Sequence, residues 1–71
     1  MKYNEFVREM REQEFARFKA EMQKAFQLFN RDLISYSELK KTMTAINDKH
    51  EQQLDFFENT LFPSVAKGIE Q

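Results

Sequence analysis

The groups in this chain that could do chemistry are a single histidine, His50, and a run of carboxylates at Glu5, Glu9, Glu12, Glu14 and Glu21. His50 would serve as a metal ligand or a proton carrier. Asp48 and Glu51 flank it, but on a helix residues one and two apart point to other faces. Three positions earlier stands Asn47, where a carboxylate-bridged Glu-x-x-His site needs glutamate. The glutamates alternate with Arg8, Arg11, Arg17, Lys19 and Lys24, which is the pattern of a solvated face laced with i,i+3 and i,i+4 ion pairs rather than of a paired acid–base or dinuclear centre. Cysteine is absent, so neither a disulfide framework nor a thiolate zinc site is available. No catalytic residue, cofactor site or metal site is predicted, and the chain reads as a protein that is not an enzyme.

The elements that must carry these residues are helices. One Gly and one Pro in 71 residues, with abundant Glu, Lys, Gln, Arg, Met and Phe, speak against a turn-rich β domain and for an all-α fold. A chain of this length holds one domain, residues 1–71, whose core supplies roughly 3–5 kcal/mol unless something supplements it. Self-association or docking on a partner is the remaining supplement. The formal charge is −1, which gives no global field to recruit nucleic acid or an anionic membrane. Residues 1–31 carry seven basic and five acidic groups and residues 32–71 four and seven, a mild complementarity that suits antiparallel pairing. No apolar run approaches the ~18 residues of a membrane span, and the start lacks a signal-peptide core, so a cytoplasmic setting is expected.

The first helix is predicted from about Tyr3 to Phe29. Phe15, Phe18, Met22, Ala25, Phe26 and Phe29 step by three and four and form one stripe. Tyr3, Phe6, Val7 and Met10 keep the same steps, but the five residues from Met10 to Phe15 rotate this patch by roughly 90°. A turn over residues 30–35 follows, with Asn30 and Asp32 unfavourable to helix interior. Ser35-Tyr36-Ser37-Glu38 matches the S-x-x-E capping box, and Ile34 would staple onto Leu39. The second helix runs from Tyr36 to about Leu61 with a coiled-coil-like seam through Tyr36, Leu39, Met43, Ile46, His50, Gln53 with Leu54, Phe57 and Leu61. Pro63 should stop it near Leu61, leaving a short tail over 63–70 with Gly68 at its end. Both helices then measure about 26 residues, roughly 39 Å, so that neither overhangs the other.

Residues 24–46, through Leu28-Phe29-Asn30-Arg31-Asp32-Leu33-Ile34-Ser35-Tyr36-Ser37-Glu38-Leu39, resemble the short helical-hairpin segments of the SHOCT type, with Asp32 where such segments usually carry Gly. Ile34-Ser35 with Glu38-Leu39, and Pro63-Ser64-Val65 with Lys67 and Ile69, are similar to the small Hha-type nucleoid modulators. The first resemblance implies two helices joined at a capped turn, and no functional residue is carried over from either.

If Phe29 lies opposite Tyr36, paired residue numbers sum to about 65, which sets Met22 opposite Met43 and Phe15 opposite His50. Arg11, Glu14 and His50 would then form a polar layer in the core, fixing register at some cost in stability. Phe56 and Phe62 fall off the seam of the second helix. With Tyr3, Phe6, Val7 and Met10 they would leave an exposed apolar surface for a partner. The expectation is an antiparallel two-helix hairpin with a short helical tail, pairing as a homodimeric four-helix bundle. Its function would be to engage a larger, unidentified protein as a regulator, inhibitor or assembly factor, a role common among phage and mobile-element products. The alternative is a hairpin dimer that binds RNA or DNA through Arg8, Arg11, Arg17, Lys19, Lys24 and Arg31, or Lys40, Lys41 and Lys49, although glutamates interrupt the first set throughout.

Overall fold

Tyr3–Asn30 form one unbroken helix, α1, as expected of a stretch without Gly or Pro that is rich in strong helix formers. The computed structural model describes residues 2–70, with side chains for residues 2–68. At the end of α1 the N–H of Asp32 donates to the carbonyl of Phe29 (3.0 Å) and the N–H of Leu33 to that of Leu28 (2.9 Å). This is the Schellman arrangement, and it needs a left-handed residue at Asp32, where φ is 57°. Asp32 thus occupies the conformation that Gly usually fills.

The helix Tyr36–Phe56, α2, begins with the expected capping box. Ser35 Oγ accepts from the N–H of Glu38 (3.1 Å) while Glu38 Oε1 accepts from the N–H of Ser35 (3.4 Å). Two donors that the first turn leaves without intrahelical partners are satisfied there. Leu39 is buried and Ile34 half-buried, as the staple requires.

Pro63 does not stop this arm. After α2 comes a π-helical turn, Phe57–Leu61, and then α3, Phe62–Glu70. The N–H of Phe62 donates to the carbonyl of Phe57, five residues back. A π turn is wider than an α turn and gives the pyrrolidine ring room where it would otherwise meet the carbonyl of Asn59. The hydroxyl of Ser64 donates to the carbonyl of Thr60 (2.8 Å), satisfying an acceptor next to the proline. Helix also continues through Gly68, which has no positive φ and caps nothing. The second arm is therefore longer than expected, and its α3 packs against the N-terminal part of α1.

The hairpin is long and thin, with Cα extents of 54 × 19 × 10 Å and a radius of gyration of 16.1 Å, against about 11 Å for a compact chain of this length. Two helices shield each other along one line only. Among the described residues the buried apolar side chains are Ala25, Leu39, Phe57 and Phe62, and none is less than 2 % exposed.

Candidate interaction surface

The seam of α1 passes through a charge. Glu14 is 6 % exposed, and steps of four lead from Met10 to Glu14 and on to Phe18. The apparent change of phase after Met10 thus disappears once Glu14 is counted as a seam residue, and the patch of Tyr3, Phe6, Val7 and Met10 continues along the same line. The Nδ1–H of His50 donates to Glu14 Oε2 at 2.7 Å, because an ionised carboxylate can only accept. Arg17 Nε donates to Glu14 Oε1 at 2.9 Å. The His50 ring stacks on Phe18, centroids 4.3 Å apart. Hydrogen bonding from Arg17, reinforced by that from His50, holds the Glu14 carboxyl below the ordinary glutamate range against the opposing effect of burial. Arg17 is correspondingly pushed above the usual arginine value, chiefly by Glu14.

Of the residues expected in this polar layer, Glu14 and His50 meet and Arg11 does not join them. Arg11 is half exposed and pairs with Glu58 on the surface, lying 5.6 Å from the centre of the Phe62 ring. Arg17 takes its place, six residues further along α1. Its Nη1 also approaches Glu21 Oε2 at 2.9 Å, although out of line for a hydrogen bond, and Lys49 reaches Glu21 from α2 at 3.5 Å. The ion pairs at Arg11 and Arg17 neutralise two of the cations that a phosphate-binding stripe would use.

The residues expected to form a partner surface are mostly gathered inside the open end of the hairpin. Phe62 is 3 % exposed, with its ring 6.2 Å from Phe6, edge to face, and 5.5 Å from Phe57. In an uninterrupted α-helix Phe62 would point away from α1. The one-residue widening of the π turn rotates everything beyond it by roughly 100° and swings Phe62 into the seam. Tyr3, Phe6, Val7 and Met10 are half-buried on the facing side, so this patch is largely core. Phe56 remains half exposed, 49 %.

Besides Leu33, Tyr36 and Phe56, exposed apolar side chains lie on the stripe that the spacing assigned to the core. Phe15 does not face His50 but is 57 % exposed, and Phe26 is 42 % exposed. Phe18, Met22 and Phe29 are half-buried between this face and the seam. The stripe through Phe15, Met22 and Phe26 points roughly a quarter turn away from the line through Glu14 and Ala25 that α2 covers. At the open end the same face holds a groove of about 620 Å³ lined by Tyr3, Val7, Phe15 and Phe62, with Arg8 and Arg11 at its rim.

No protein family, curated protein or solved structure matches this chain. Among the described residues no three His, Cys, Asp or Glu side chains come close enough to hold a metal ion, and no helix is long and apolar enough to cross a membrane.

Proposed function

We propose that the protein is a non-enzymatic interaction module, a helical hairpin that completes its core by pairing into a dimeric four-helix bundle and in that form engages a larger protein. The observation that carries this reading is the exposure of Phe15 and Phe26 on the most apolar stripe of α1. Solvent-facing phenylalanines in a row, beside a seam with so few buried side chains, make an interface rather than a finished surface. The polar layer at Glu14, Arg17 and His50 is a register device that fits such a role. The test is thermal unfolding followed by circular dichroism, with solution mass, across a wide range of protein concentration. A module that folds by association melts higher as concentration rises and doubles its mass. A melting temperature independent of concentration, with a monomeric mass throughout, overturns the reading.

A further inference from the structure

The stripe on α1 reads the same in both directions. From Met22, phenylalanines stand four positions away on each side, Phe18 and Phe26, and seven positions away on each side, Phe15 and Phe29. The symmetry holds in angle as well. At 100° per residue Phe15 and Phe29 lie roughly 20° either side of the direction of Met22, and Phe18 and Phe26 roughly 40° either side. Such a face is complementary to itself under a two-fold rotation that reverses the helix.

We infer that the occupant of this face is a second copy of the chain, with α1 packed antiparallel on α1 across a two-fold axis at Met22, so that Phe15 meets Phe29 and Phe18 meets Phe26 of the other copy. The inference rests on the interaction-module reading and names the surface, the partner and the register. The area agrees. The chain exposes 5633 Å², whereas a compact monomer of 8.6 kDa exposes about 4,700 Å². The excess, about 900 Å², is close to the ~800 Å² that each partner contributes to a standard interface.

The alternative way to stack two hairpins face to face, with the two-fold along the helices, lays the phenylalanine stripe on α2. That side of α2 carries Lys40, Asn47 and Glu51, all exposed, with the exposed Tyr36 at its start, and beyond that one ring it would set ammonium, amide and carboxylate groups against aromatic rings. The antiparallel arrangement instead sets α2 on α2, mostly polar against polar, with Met43 near the same axis. It also brings the exposed Leu33 (64 %) of one copy level with Arg11 of the other, at the mouth of the groove lined by Tyr3, Val7, Phe15 and Phe62.

The chain has no cysteine, so single-cysteine variants report the register directly under mild oxidation or with a short bis-maleimide. Phe15 is exposed and Met22 only half-buried within the hairpin, so Met22→Cys, Phe15→Cys and Phe29→Cys leave the buried seam residues in place, which circular dichroism verifies. Expected are covalent dimers of Met22→Cys alone, and of Phe15→Cys mixed with Phe29→Cys, with little self-linking of either of the latter two. Phe26→Glu should weaken dimerisation by about 100-fold or more, because the change enters a two-fold interface twice. A dimeric protein in which Phe15→Cys links to itself, or Met22→Cys does not link, overturns the register while the interaction reading stands. A monomeric mass at every concentration overturns both.

Discussion

Glu14 and His50, 36 positions apart in the chain, meet at 2.7 Å across the seam and set the level at which the two arms face each other. The carboxylate is buried and held ionised by Arg17 and His50, so its pKa lies below the ordinary glutamate value. A folded-state pKa below the unfolded one means that the unfolded chain binds the proton more readily. The contact therefore stabilises fully above about pH 4.5, the ordinary value, and its contribution is lost as pH falls from there through the lower folded value. Thermal scans at one protein concentration should show the melting temperature dropping below about pH 4.5. Glu14→Gln should melt lower at pH 7, by about 1–3 kcal/mol for a weakened buried contact, which for a domain of this size is several degrees per kcal/mol. The acid decline of that variant should be shallower than that of the parent.

Phe6 separates a core residue from a docking residue by experiment. Its ring lies edge to face on the buried Phe62 at 6.2 Å, so Phe6→Asp removes that aromatic contact and sets a carboxylate against the Phe62 ring. The expected result is loss of helical signal at the open end and a destabilisation of about 2 kcal/mol or more. Phe15→Asp, on the exposed face, should leave the helicity of the single hairpin nearly unchanged and lower only the dimer population. Helicity and mass measured on the two variants side by side check the distinction.

The two-helix plan, the capped turn and the start of the second arm are legible in the sequence because they are written by neighbours: Ser35 and Glu38 satisfy each other's backbone N–H, and Asp32 tolerates the left-handed conformation that ends α1. What is not legible depends on residues that break a pattern. Glu14 is legible as the partner of His50 in a polar layer, but a count of apolar side chains leaves it out, which makes the seam of α1 look shifted in phase where it runs straight. Phe62 is off the seam only if the helix is assumed regular, and the π turn makes that assumption fail. Phe15 and Phe26 carry the right side chains for a core, but residue type alone does not say whether the covering surface is α2 or another chain. The steps of four from Met10 through Glu14 to Phe18, with His50 on the facing seam, were the available signal for the first of these. Val65, Ala66 and Ile69, spaced as a further helical turn beyond the proline, were the signal for the second.

Asp32 is the one described residue other than glycine with a positive φ, and the Schellman bonds to Phe29 and Leu28 depend on it. Asp32→Val should cost about 1–2 kcal/mol, because a β-branched side chain crowds the following carbonyl in the left-handed region. Asp32→Gly relieves that crowding but frees the unfolded chain, so its melting temperature should stay within a few degrees of the parent or rise slightly. Equal losses in both variants would show that the aspartate side chain, rather than the backbone conformation, holds the turn.

The π turn and Pro63 should behave as one unit. The turn adds a residue, which rotates Phe62 into the seam, and it widens the helix where the proline ring needs space. Deleting the exposed Asn59 forces residues 57–63 toward regular α geometry. Phe62 keeps its direction, because the extra residue is gone, but the ring of Pro63 now meets a carbonyl one turn back, at a cost of about 3 kcal/mol. Pro63→Ala alone removes the ring while Phe62 burial still holds the π turn, so its effect should be small. The Asn59 deletion combined with Pro63→Ala should recover most of the stability lost by the deletion, and the interaction between the two changes is read from a double-mutant cycle of melting temperatures. Additive losses would mean that the widened turn is held by Phe57 and Phe62 packing alone, with the proline merely accommodated.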